Sequence, residues 1–413
     1  MLVKKNIIAS HQNTLLSCAL GLAVIAYAVV FRSCKHMPVS TFEASWMSFD
    51  ALFTKWGLVV MAGAVVTCVT IGGKGWRQID RFRLVRWILF PVFAILTWSL
   101  VTYDYNFFFE KTHSFDRLLL LGLAIATAWR PCFIGLFVFE FGTLVGHLSV
   151  PMSLSWTDKA VPIDVLLLGQ LYVLGARPLR LRSDHFLVAV LFVVAVHYVR
   201  PAMGKIAIGW LPENDLSRLY LSAVFQNGWT GFVGTTHVPW IVRMIQSAST
   251  FVMVATLVIE FLPIAFLFNR NLFLFAITAA VLMHVGIFMS SGILFWKWIV
   301  LDIALLIVIG RVKSRQLEPL FGVRQGLTFL VFVLIGSHFY STAPVLAWLD
   351  APIAVRYHLE VIGESGDIYQ IPPYRLAPYD LQFAQGRLGF IDRQPLLVDC
   401  LGCCCSATIG SPL

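Results

Sequence analysis

Phe186-Leu-Val-Ala-Val-Leu-Phe-Val-Val-Ala-Val-His-Tyr-Val-Arg-Pro-Ala-Met-Gly-Lys205-Ile-Ala-Ile-Gly-Trp210 decides what kind of protein this is. Phe186 to Val199 is an apolar run that makes up most of a membrane span. A span wants ~20 predominantly apolar residues. The run leads into Lys205, and a tryptophan follows at the spacing of a membrane interface. Two readings of Lys205 stand open. A lysine at the lip of a helix bundle, with His197 and Tyr198 about two turns behind it, suits a proton-transfer group. It equally suits an anchor whose ammonium snorkels to the headgroups.

The rest of the chain agrees with the class. Of 413 residues, 58% are hydrophobic and 13% charged, and the mean hydropathy is +0.79. A soluble domain of this size has no interior large enough for that much apolar surface. The expectation is an all-α polytopic membrane protein, a helical bundle of about 9–11 transmembrane segments. The 33 Phe suit lipid-facing helices and aromatic belts. The net charge of +9 reads as membrane orientation, and no nucleic-acid partner is expected. Membrane lipids are the expected surroundings.

Apolar runs recur near 14–31, 57–73, 87–103, 118–129, 131–149, 162–176, 185–199, 249–268, 272–290, 293–310 and 326–348. The first follows Lys4 and Lys5, has no clear small-residue cleavage site, and reads as a retained span. Arg130-Pro131 splits two runs that read as a broken helix or a re-entrant pair. Basic clusters lie at Lys4 and Lys5, at Lys74 to Arg86, at Arg177 to Arg182, and at Arg311 to Arg324. With eleven spans and a cytoplasmic N-terminus, every cluster falls on the cytoplasmic side. Segments 104–117 and 200–248, the turn at Ser290-Ser291 and the C-terminal tail are then outside, in a multi-pass cell-membrane protein. The segment 200–248 reads as interfacial helix over the outer mouth, with a lid free of chemistry as the alternative.

Residues 1–350 are therefore read as the bundle and 351–413 as a small, β-rich outer appendage. Ala354 to Ile362 alternates at period two, and Gly363-Glu-Ser-Gly366 turns the chain, a hairpin signal. No internal repeat is evident, which disfavours a transporter built from two halves.

Ionisable residues at membrane depth are the candidates for chemistry. Besides Lys205 they are Glu260, with no local positive partner, and His284 on the next span. Their distances from the Asn269-Arg270-Asn271 turn differ by about five residues, or ~7 Å of helix rise, so the two can share a polar pocket. An interhelical hydrogen bond is the plain alternative for His284. A further cluster runs from Tyr103 through Glu110, His113 and Asp116 to Arg117. It reads either as a neighbour of Lys205 or as a solvated loop whose Ser114 and Asp116 cap the next helix. Glu140, His147, Asp164 and Asp302 read as structural. Cys18, Cys68 and Cys132 read as small buried hydrophobes. Cys400-Leu-Gly-Cys403, with Cys404 and Cys405, reads as a disordered or disulfide-closed tail ahead of a redox pair. No nucleotide-binding or protease motif stands in a credible context, and no metal site is expected.

Three places together resemble a known family. They are Glu110-Lys-Thr-His-Ser-Phe-Asp-Arg-Leu118, Tyr198 to Trp210, and Glu260 with Pro263, Arg270, His284, Gly286, Ile287 and Phe288. They are similar, in order and gaps over residues 100–310, to the membrane domain of vitamin K-dependent gamma-carboxylase and its bacterial relatives, the horizontally transferred transmembrane (HTTM) domain proteins. Two departures are plain. Gly204-Lys205 stands where the family has paired lysines, and the chain after the last run is too short for the large outer domain of the family's bigger members.

The resemblance implies a lyase-type carboxylation coupled to quinone epoxidation. The lysine deprotonates a reduced quinone, which reacts with O2. The strong base so formed takes a proton from the γ-carbon of a glutamate, CO2 adds, and the quinone leaves as an epoxide. It further implies Lys205, His284 and His113 as catalytic side chains, and Tyr198, Glu260 and Trp210 as quinone-binding ones, with a peptide or protein as substrate. The runner-up is a non-catalytic membrane protein of the same fold that binds a lipid or quinone or assists a partner. A transporter is third.

Overall fold

The computed structural model describes residues 2–32, 45–79, 82, 84–102, 114–149, 159–207, 229–266, 269–292, 294–311, 321–339 and 360–370, with 211, 216, 217, 220, 221 and 224. Among these residues the chain is all-α apart from one hairpin. The helices are α1 (Leu2–Arg32), α2 (Lys55–Ile71), α3 (Val85–Val101), α4 (Ser114–Trp129), α5 (Ile134–Ser149) and α6 (Ala160–Gly175). They continue as α7 (Ser183–Ala207), α8 (Val238–Phe266), α9 (Arg270–Ser291), α10 (Trp296–Arg311) and α11 (Val323–Phe339). Each of the eleven apolar runs overlaps one of them along most of its described length.

Among the described residues, three stretches are long and apolar enough to cross a membrane: Ser183–Ile206, Thr235–Ile264 and Arg270–Ser291. Several others are apolar but shorter, among them Lys55–Ile71, Val85–Val101 and Ala160–Gly175. The α7 stretch is mostly enclosed, whereas α8 and α9 leave large apolar side chains outward. Trp240, Met244, Phe251 and Val258 on α8 and Phe275, Leu282 and Val285 on α9 are exposed. A surface of that kind is poorly tolerated in water and ordinary in lipid.

Two boundaries differ from the sequence reading. The α7 helix does not stop near Val199 but continues through Pro201 to Ala207, so Lys205 lies on the helix and not beyond it. Proline removes one donor, that to the carbonyl four residues back, but its fixed φ is compatible with a helix whose neighbours hold it. The helix Val238–Phe266 begins after a turn at Thr235–His237, so it takes in the last part of the segment read as interfacial helix together with the following apolar run.

The chain divides into two compact units. One comprises Met1–Val199, Leu262–Val281 and Trp296–Ser341, and the other Arg200–Phe261, Leu282–Phe295 and Thr342–Leu413. In the first unit, α2 packs on α5, α1 on α6 and α11, and α3 on α4, α6 and α10. Small residues bring α2 and α5 together. A Cβ on Gly135 would sit 2.5 Å from the Ala64 Cα, and one on Gly142 would sit 2.8 Å from the Trp56 ring. Close backbone approach through small residues is how helices gain packing where lipid removes the hydrophobic driving force. Trp56 then stacks on Phe139, with ring centroids 5.3 Å apart. At its N-terminus α2 is capped by Thr54, whose hydroxyl accepts from the Gly57 amide at 3.2 Å.

In the second unit, Ala202, Met253 and Leu257 form an apolar cluster, with Leu216 and Phe261 against it. Trp229 and Phe232 lie on the end of α9. Trp229 packs at a tilt against Phe288 with centroids 4.9 Å apart, and its Nε1 donates to the Met289 carbonyl at 3.1 Å. The hairpin pairs Glu360–Ile362 with Ile368–Gln370 in antiparallel register, Val361 opposite Tyr369. Gly366 supplies the positive φ of its turn, 86°. The rest of the appendage, including Cys400, Cys403, Cys404 and Cys405, lies outside the described residues, as does Cys34.

Candidate functional site

Seven residues separate Glu260 from Met253 on α8, and four separate Leu257 from Met253. That spacing puts all three on one helical face. On α7, Ala202 and Lys205 are three apart and share a face in the same way. The two faces meet in the apolar cluster of the second unit, and their polar members meet beside it. The Lys205 Nζ donates to the Glu260 Oε1 at 2.7 Å. Both residues are only 6% exposed. An ion pair out of water holds together only when its geometry is good, because each ion has given up several kcal/mol of hydration.

His284 belongs to the same unit and is equally enclosed, at 6% exposure. Its ring packs on Phe295, with centroids 5.5 Å apart, and the Lys205 ammonium acts on it electrostatically. The sequence placed Glu260 and His284 at similar depth, and Lys205 joins them. What the sequence lacked was the partner of Glu260, which lies 55 residues away on another helix.

The arrangement has a defined chemical capacity. A proton can pass between Nζ and Oε1 along the 2.7 Å hydrogen bond. The charged pair and the neutral pair carry the same net charge, so the exchange moves no net charge into or out of the apolar surround. An amine can thus become a base without a bare carboxylate or ammonium being left behind.

No family model matches the chain, and neither a curated protein nor a solved structure matches it.

The other expected site residues are placed differently. Tyr198 belongs to the first unit, where its hydroxyl donates to the Asp302 Oδ2 at 2.6 Å and its ring packs edge-on against Trp298. His197 pairs through Nε2 with the Asp164 Oδ2 at 2.7 Å, and its ring also meets Trp298. These buried polar pairs join α6, α7 and α10. Asp164 and Asp302 each accept in these pairs, and neither partner was legible from the sequence. Arg270 caps a helix: its Nη2 donates to the Ile309 and Gly310 carbonyls at the end of α10. Asp116 is buried in the first turn of α4, and its Oδ1 accepts from the Arg117 amide. His113 and Trp210 lie outside the described residues. Among the described residues, no group of three His, Cys, Asp or Glu is placed to hold a metal ion.

Proposed function

We propose that this chain is a membrane enzyme of the gamma-carboxylase-like, HTTM type. On this reading it couples oxidation of a reduced, vitamin K- or menaquinone-like quinone by O2 to carboxylation or a related proton-abstraction reaction, with a peptide or protein as one candidate substrate. The observation that carries the reading is the buried Lys205–Glu260 pair beside an apolar cluster. The residues present fit such a quinone. Ala202, Met253 and Leu257 offer an apolar wall for a ring and tail, and Lys205, Glu260 and His284 offer the few polar groups that orient its oxygens.

When bound, the reduced quinone supplies with O2 the oxidative drive for the reaction. Lys205 accepts the proton of the hydroxyl presented to its Nζ. Glu260 holds the amine in place and balances its charge. His284 donates to oxygen where negative charge develops. The apolar surround keeps out water, which would quench a strong base. His113, Tyr198 and Trp210 stay in the proposal as residues of the family-like stretches, His113 as a catalytic group and the other two as quinone contacts.

The proposal extends to topology. All eleven helices serve as spans or re-entrant segments, the N-terminus is cytoplasmic, and the hairpin belongs to a small β-rich appendage on the outer side. The basic clusters and the match between helices and apolar runs support this.

The second reading is a quinone- or lipid-binding membrane protein without the chemistry. The same 2.7 Å contact favours it, because a carboxylate beside a lysine also makes a purely structural pair. Purified protein in detergent, given reduced vitamin K or menaquinone and oxygen, separates the two. Epoxide detected by mass spectrometry from the wild type and absent from Lys205→Ala supports the enzyme. Quinone binding with no epoxide from folded protein supports the binder and sinks the base.

A further inference from the structure

Cys68 and Cys132 are 64 positions apart in the chain, yet the fold sets them side by side. The Cys68 Sγ donates to the Cys132 carbonyl oxygen at 3.4 Å. Both are free thiols. The backbone explains the meeting. Cys132 sits in the single 3-10 turn Pro131–Phe133 that joins α4 to α5, with Arg130 extended before it. Gly135, three positions on, lies close against Ala64 of α2, where a Cβ would sit 2.5 Å from the Ala64 Cα. Cys68 is one turn beyond Ala64 on the same face of α2. The tight contact between the helices therefore fixes the position of both sulfurs.

The two thiols are not equivalent. Cys132 is 6% exposed, whereas Cys68 is only half-buried. Cys68 also stands one turn from the end of its helix, where the amide of Gly72 donates to its carbonyl at 2.9 Å. One turn is ~5.4 Å of rise, so its sulfur is within a small molecule's reach of the helix end.

We propose that Cys68 and Cys132 are a reversible redox pair that forms a disulfide between α2 and the α4–α5 junction. The oxidant is a small-molecule disulfide. The Cys68 thiolate attacks one sulfur of that disulfide, forms a mixed disulfide and releases one thiol. The Cys132 thiolate then attacks the Cys68 Sγ and expels the second thiol. The cysteine pair loses two electrons and two protons, and the small disulfide gains them as two thiols. A thiol already in contact with the other cysteine's backbone reaches the ~2.05 Å sulfur–sulfur bond chiefly by side-chain rotation. The bond staples the helices where their backbones already touch.

The test uses the full chain in detergent with oxidised glutathione, followed by alkylation of remaining thiols and peptide mass spectrometry. Three results are expected together. The wild type yields a Cys68–Cys132 cross-linked peptide that dithiothreitol reverses. Cys132→Ser, which lacks the second sulfur, accumulates glutathione on Cys68. Cys68→Ser leaves Cys132 unmodified. The proposal is overturned if folded wild type gives no cross-link while Cys132→Ser takes up no glutathione, the result for two inert packing thiols. It is also overturned if the cross-link appears only after the protein is unfolded.

Discussion

The Lys205 ammonium and the Glu260 carboxylate meet at 2.7 Å across two consecutive membrane-length helices, with each side chain 8% exposed. Neither ion is near water that could replace the other, so the loss of one partner leaves a buried charge. Lys205→Met or Glu260→Met alone is expected to cost about 3–5 kcal/mol, whereas the double substitution recovers most of that loss. Thermal unfolding in detergent of the wild type, both single variants and the double variant measures the coupling. Additive losses would mean that the two groups do not depend on each other.

Tyr198 and Asp302 give a second, independent case in the first unit. Tyr198→Phe removes the donor and leaves the carboxylate enclosed, with an expected cost of about 1–3 kcal/mol. Asp302→Asn keeps an acceptor for the hydroxyl and is expected to be milder. Denaturation midpoints of the two variants should fall in that order, and the reverse order would mean that Asp302 is held chiefly by other partners.

Two glycines should respond in opposite directions. Gly135→Ala drives a methyl against the Ala64 backbone and is expected to destabilise by about 1–3 kcal/mol. A Cβ on Gly286, within α9, meets nothing within 4 Å. Gly286→Ala is expected to be neutral or to stabilise by about 0.5–1 kcal/mol through lower backbone freedom. Unfolding temperatures side by side test both, and equal effects would contradict the tight contact between α2 and α5.

Topology is open to a direct check. Reporter fusions after residues 80, 178 and 313 are expected to give cytoplasmic signals, and fusions after 230 and 365 outer ones. A cytoplasmic signal at 230 would refute the eleven-span arrangement with an inside N-terminus.

The helices were legible because apolar runs and helical spans obey the same length rule, and each run overlaps a helix. Helix ends were less so. The apolar run was read as ending near Val199, but α7 continues through Pro201 to Ala207. The shared depth of Glu260 and His284 followed from counting residues around one turn, since both flank it on adjacent helices. The Lys205–Glu260, His197–Asp164 and Tyr198–Asp302 pairs had no such ruler. They join residues 55, 33 and 104 positions apart, and their meeting depends on which helix faces pack. Cys68 and Cys132 looked like two unrelated small side chains for the same reason. Their encounter rests on a glycine three residues along from one of them.

The Lys205–Glu260 contact also bears on how the chain is made. Lys205 leaves the ribosome before Glu260, and a carboxylate entering the bilayer alone on α8 faces about 2.5–3.5 kcal/mol of insertion cost. The helix that carries the lysine therefore has reason to linger at the insertion machinery until its acidic counterpart has been synthesised. On the membrane reading, the pair carries no net charge once formed, so keeping α7 near α8 during synthesis would spare the carboxylate that cost.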